Sequence, residues 1–181
     1  MIEIQGNFGR RFLKVSGGHG ELDEIEEAIK KVEKIDRAEG TTSQIFNARR
    51  IAEKQHLIHA SKLALEAWEK GKSFANSLRI ELTCWTAALR QIDKAIDRVG
   101  VKENSKEFAS LTVGKNKQKV EKVNSTINRV LEIEPDDKIL KINKEKVENL
   151  KKAFDISPKQ LINFSPKEAI LEKIALLSLE H

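Results

Sequence analysis

Glu53, His56 and His59 follow one another at intervals of three, so a helix through them would show Glu-x-x-His-x-x-His on one face. That is half of a carboxylate-bridged metal centre, which needs a second Glu-x-x-His element and further carboxylates, and no second copy occurs. The zinc-protease motif is also missing, because its histidines stand four apart with a glutamate beside the first. Histidines packed or hydrogen-bonded on a helix face are the expectation, and no metal is expected. Ser16-Gly-Gly-His-Gly20 is glycine-dense enough to cradle a phosphate on backbone amides, but it lacks both the Lys-Ser/Thr pair and the dinucleotide glycine spacing. It reads as a flexible connector. Cys84, the single cysteine, sits between Thr83 and Trp85 in an apolar segment with no adjacent histidine, which describes an inert core thiol and excludes a disulfide framework. With no serine nucleophile elbow either, no catalytic residues and no cofactor are expected.

Positive charge is the remaining chemistry. The chain holds 33 Lys and Arg against 28 Asp and Glu in 181 residues, a formal +5. Residues 44–102 alone carry 11 basic and 6 acidic groups, net +5, while the segments on either side nearly cancel. Within that stretch Arg49, Arg50, Lys54, Lys62, Lys70, Lys72 and Arg79, with His56 and His59, surround an Ala-rich helix and would suit a nucleic-acid backbone. Phe74 and Trp68 lie close enough in sequence to stack a single-stranded base, although core packing is the commoner fate of both. Lys115, Lys117, Lys119 and Lys122 read as a solvated helix start.

Periodicity supplies the elements that must hold these side chains. Met1 to Gln5 and Phe8 to Val15 alternate like strands around a Gly6-Asn7 turn, and an amphipathic helix is expected over roughly 22–36, closed by Gly40. Gln44 to Asn47 reads as a strand leading into the long helix from Ile51 to Gly71. A brief helical turn over 73–78, then a strand inside the protein over Ile80 to Ala88, follow from the apolar run Ile80, Leu82, Cys84, Trp85. Gln91 to Val99 is a short helix, Phe108 to Val113 a strand, and Lys117 to Leu131 and Lys144 to Phe154 are helices. Ser157-Pro-Lys-Gln160 and Ser165-Pro-Lys-Glu168 both spell the reciprocal capping arrangement, with Pro at the first helical position. The last helix therefore begins at Pro166 and carries Ile170, Ile174 and Leu177 on one face, a late apolar stripe that needs a cover. No repeat or low-complexity linker divides the chain. The expected fold is α/β, a single domain over 1–181 with a small central mixed sheet packed by several helices and a C-terminal amphipathic helix.

No apolar run nears the roughly 18 residues that span a bilayer, and the first residues lack signal-peptide order, so a cytoplasmic, membrane-free setting is expected. Against that background the string from Gln44 to Lys102 resembles the small KEOPS subunit of the CGI-121 family, relatives of a protein that binds the p53-related protein kinase. The matching positions are the helix with His56, Ala60 and Ala64, the Gly71 break, Glu81 ahead of an apolar strand, Gln91-Ile92 with Ala95 and Gly100, and Ile174-Ala-Leu-Leu177. Residues 103–131 depart from the family pattern, with a diluted strand EFASLTVG and an unusually Lys-rich helix.

The resemblance implies a non-catalytic subunit of the complex that installs threonylcarbamoyl on transfer RNA. It implies two partners: the small atypical protein kinase/ATPase subunit of KEOPS, and the single-stranded 3′ CCA end of tRNA. A single-stranded end offers phosphates to Lys and Arg and unstacked bases to apolar pockets, which matches the composition of the middle segment. The expected RNA contacts are Arg49, Arg50, Lys54, Lys62, Lys70, Lys72 and Arg79, with His56 and His59 lining or supporting the pocket and Phe74 stacking. The kinase is expected on Ile170, Ile174 and Leu177. A pure protein-protein adaptor that regulates the kinase without touching RNA is the alternative, and a small metal- or nucleotide-dependent enzyme built on Glu53, His56 and His59 is a further competitor.

Overall fold

A computed structural model describes residues 1–179. Its contacts divide the chain into two compact units, each assembled from two separate stretches. Unit 1 comprises Met1–Ala48 and Val101–Ile139, and unit 2 comprises Arg49–Gly100 and the chain from Leu140 onward.

Unit 1 is a sheet with two helices. Strands β1 (Ile2–Gly6) and β2 (Gly9–His19) form a hairpin; β3 (Thr42–Asn47), β4 (Glu107–Gly114) and the short β5 (Glu134–Pro135) complete the sheet in the order β1-β2-β4-β3, with β5 pairing β2 at Gly18 and His19. Every ladder among the described residues is antiparallel, which corrects the expected mixed sheet. Strand direction follows from where long connections return, and a local pattern does not contain that. The helices of this unit are α1 (Ile25–Glu39), stopped by Gly40 in the left-handed conformation, and α5 (Lys117–Val130).

Two sequence oddities acquire causes here. The diluted strand β4 is buried along nearly its whole length, and its polar residues serve a closed network. Ser16 Oγ donates to Asn124 Oδ1 at 2.8 Å, Asn128 Nδ2 donates to Ser16 Oγ at 3.0 Å, Ser110 Oγ donates to Asn128 Oδ1 at 3.0 Å, and Asn124 Nδ2 donates to Thr112 Oγ1 at 3.2 Å. A polar layer thus pins α5 on the sheet, tolerable in the interior because its members satisfy one another. The glycine run at 16–20 is strand through His19 rather than a connector, because a Cβ on Gly18 would fall 2.5 Å from the Glu134 carbonyl oxygen and from Ile133. Glycine there admits the segment carrying β5. Its backbone belongs to the ladders, which leaves no phosphate cradle.

Unit 2 is helical: α2 (Glu53–Glu69), α3 (Leu78–Ala87), α4 (Ile92–Val99), α6 (Lys144–Ala153), the single turn α7 (Gln160–Asn163) and α8 (Pro166–Leu179). The strand expected over 80–88 is helix α3, and of the turn expected over 73–78, residues 73–77 are an irregular loop while Leu78 opens α3. Residues 81–87 are all buried, so no polar face betrays a helical period, and a short apolar run of that kind fits helix and buried strand equally. The hydrogen bonds of both capping boxes form and α8 starts at Pro166 as spelled, whereas α7 starts only at Gln160, two residues after Pro158. Ser165 N–H donates to Glu168 Oε2 at 2.7 Å and Glu168 N–H returns to Ser165 Oγ at 3.3 Å, with the same exchange between Ser157 and Gln160. Helix α8 then buries Ala169, Ile170, Ile174 and Leu177 while packing on α2 and α3. Ile170, Ile174 and Leu177, the residues expected to meet the kinase, therefore lie on the buried face of α8, and the unit itself covers the stripe.

Candidate functional site

The framework of unit 2 is locked by two buried ionisable groups. His56 is fully enclosed; its Nδ1 accepts the Ala52 N–H at 3.1 Å and its Nε2 donates to the Thr86 carbonyl at 2.8 Å, so one ring ties the start of α2 to the end of α3. Phe154 packs edge-on against it, with ring centres 5.6 Å apart. Burial, helped by repulsion from Lys146 and His59, lowers its pKa to about 4, so the ring is neutral in ordinary buffers. Glu81 is the second lock. Its carboxylate accepts the Phe74 and Ala75 N–H groups at 2.7 and 3.0 Å and Trp85 Nε1 at 2.7 Å, which fixes the loop after Gly71. Burial raises its pKa, opposed by those donors.

These contacts redistribute the residues expected to meet RNA. His56 has no exposed surface and acts as support. His59 is half-buried, with its pKa lowered by burial and by Lys62. Glu53 binds Lys167 at 2.8 Å. Arg49 forms an ion pair with Glu145, and Arg50 donates to the Asn149 carbonyl at 3.0 Å, so both clamp the start of α2 to α6. Phe74 stacks on Trp85 at 5.4 Å and is also engaged by Arg90, whose guanidinium lies 5.4 Å from its ring centre, which leaves it poorly placed to receive a base. Lys54 and Arg79 are half-buried and engaged within the chain. Lys62, Lys70 and Lys72 are exposed, and the last two border a shallow hollow of about 180 Å³ with Trp85 and Ser178. The expected set therefore does not converge.

A different group of cations does. A groove of about 540 Å³ is walled by Arg90 and Gln91 in the turn before α4, Lys94 and Arg98 on α4, Asp155 beyond α6 and Lys173 on α8, with Leu89, Phe154, Leu176 and Leu177 as its apolar lining. Arg98 is the structural member: it donates to the Ala87 carbonyl at 3.0 Å, pairs with Asp155 at 3.2 Å and lies over the Phe154 ring at 5.3 Å. Burial draws its pKa down, with Asp155 opposing, yet a guanidinium begins so high that it stays charged. Lys94 is exposed and Lys173 half-exposed, positioned to meet an anion. Sequence reasoning passed over these residues although a signal existed, since Arg90, Lys94 and Arg98 repeat every four residues, the spacing of one helix face.

An apolar-lined basic groove suits a ligand that has both phosphates and bases. Comparison with known proteins places the chain in a lineage: a family model described as kinase binding protein CGI-121 matches residues 22–178. The chain belongs to the CGI-121 family. It is similar to the regulatory protein Cgi121 of Methanocaldococcus jannaschii, 29% identical over 141 residues, which cover 78% of this chain and 86% of that protein. The family match includes the whole of α2, α3 and α4 and all but the last residue of α8, so the groove lies on family sequence.

Proposed function

We propose that this CGI-121 family member is a non-catalytic regulatory subunit of the KEOPS complex in the cytoplasm. It binds the small kinase/ATPase subunit and holds the single-stranded 3′ CCA end of the tRNA that receives threonylcarbamoyladenosine. The observation that carries the RNA half is the groove, in which Arg90, Lys94 and Lys173 stand beside an apolar lining. Cations take the phosphates and the lining takes unstacked bases, as a single strand requires. Kinase binding is supported by the family description and by exposed apolar side chains on α7 and α8. Ile162 on α7, Phe164 just after it and Leu179 on α8 are 78%, 40% and 77% exposed. Large apolar side chains left exposed in this way are what a protein partner can cover.

Titration with intact tRNA and with tRNA trimmed of its CCA end tests the RNA half. Trimming should weaken binding at least tenfold. The logarithmic salt slope for intact tRNA should exceed that for trimmed tRNA by about 2, if three groove cations each neutralise a phosphate at roughly 0.7 apiece. Equal affinity for both RNAs would leave the adaptor reading, in which the apolar surface of α7 and α8 acts alone.

A further inference from the structure

We propose that one end of unit 1 is a docking surface for the phosphate backbone of an RNA duplex, an inference that rests on the RNA-binding reading but uses none of the groove residues. The pairing of Phe12 with Gly114 sets the start of β2 beside the end of β4, so Arg10 and Arg11 emerge at the same end as Lys115 and Lys117. The neighbouring carboxylates are already engaged by other lysines: Glu121 lies 3.9 Å from Lys14, and Glu39 receives Lys122 at 2.7 Å and Lys119 at 3.7 Å. Lys115 and Lys117 are exposed and have no carboxylate partner among the described residues, and Arg10 meets Glu3 only at 4.0 Å with both side chains more than half exposed. Three cations from two segments distant in sequence, Arg10, Lys115 and Lys117, thus lie at one end of the sheet with little neutralisation.

The aromatic residues of this end decide the kind of polyanion. Phe8 is buried and Phe12 half-buried, and arginines cover them, Arg11 over Phe8 and Arg10 over Phe12. No open ring remains for a base to stack on, so the surface reads phosphates alone, as duplex binding does and single-strand binding does not. A lipid surface fits less well, since none of the exposed large hydrophobic side chains lies within residues 2–14 or 110–122 to enter a membrane. The charge is also polarised along unit 1. Near the start of α1 and the far end of α5, Glu21, Asp23, Glu24, Glu27 and Glu132 line a hollow of about 430 Å³ together with Lys31; Lys106 and Lys30 pair with Glu21 and Glu27, so Asp23, Glu24 and Glu132 are the carboxylates that disfavour a polyanion there. The Lys-rich start of α5 is part of this surface.

The test uses the full chain and a blunt RNA hairpin of about 16 base pairs without a single-stranded end. Three proteins are compared: wild type, the Lys115→Gln/Lys117→Gln double variant and the groove variant Arg90→Glu/Lys94→Glu. Wild type should bind the hairpin with a steep salt dependence. The lysine variant should bind at least fivefold more weakly, with the logarithmic slope reduced by about 2, while the groove variant matches wild type on this probe. Equal hairpin affinity for wild type and the lysine variant would overturn the proposal, as would no hairpin binding at low salt. So would binding to phosphatidylserine vesicles, but not to the hairpin, that depends on Lys115 and Lys117. Failure of the groove reading appears separately, as a CCA tail that adds no affinity in any of the three proteins.

Discussion

Lowering the pH should destabilise this protein through His56, and the effect can be worked from the ring's surroundings. The Ala52 N–H points at Nδ1, so a proton there would oppose a donor inside a fully buried site. The folded-state pKa is about 4, against the ordinary 6.5 that the unfolded chain has. Between these values the unfolded state binds a proton that the native state refuses, so stability falls as pH drops through 6.5 and levels off below about 4. At about 1.36 kcal/mol per pH unit the full loss is about 3 kcal/mol. The assay is urea denaturation of wild type and His56→Gln at intervals from pH 7.5 to 4. Carboxylates titrate alike in both proteins and cancel in the difference. Wild type should lead by about 2–3 kcal/mol at pH 7.5, from ring packing and two buried hydrogen bonds, and the lead should shrink to near zero by pH 4. A lead that stays constant across the window would refute the assignment of His56 as a buried neutral lock.

Two further substitution pairs test the separation of core from surface in unit 2. Ile174→Asp places a carboxylate at a fully buried position and should cost about 3–5 kcal/mol in a urea titration, whereas Leu179→Asp, on a residue 77% exposed, should stay within about 0.5 kcal/mol of wild type yet weaken kinase binding about tenfold in a pull-down titration. Glu81→Leu strands the Phe74 and Ala75 amides and Trp85 Nε1 and should cost about 3 kcal/mol or more. Glu81→Gln, which keeps one acceptor, should cost about 1 kcal/mol, both followed by Trp fluorescence during denaturation.

Legibility in the sequence tracked how local each determinant is. The capping box at Ser165 and Glu168 closes within four residues, and the start of α8 could be placed from it to the residue. The β1–β2 hairpin, β3, β4, α5 and α6 likewise declare themselves through short-range period and turn residues. Helix α3 does not, because burial on every side erases the alternation that would separate helix from strand. Gly18 reads as flexibility, and only the approach of Glu134, more than a hundred residues away, shows that it serves close packing. At the site, residue type was legible but destination was not. Arg49 and Arg50 find Glu145 and Asn149 on a distant helix, and Ile170 and Ile174 find α2 and α3, partners that no window of sequence contains. Arg90, Lys94 and Arg98 had a readable spacing, yet what makes them a groove is Phe154 and Lys173 arriving from elsewhere in the chain.

The central claim is that the groove walled by α4 and α8, rather than the outer face of α2, holds a single-stranded RNA end. Lysine acetylation footprinting by mass spectrometry, with intact and CCA-trimmed tRNA, tests it most directly because both surfaces carry exposed lysines. Intact tRNA should protect Lys94 and Lys173 at least threefold while Lys62, Lys70 and Lys72 keep their reactivity, and trimming should abolish that protection. Protection of Lys62, Lys70 and Lys72 with Lys94 and Lys173 unchanged would contradict it.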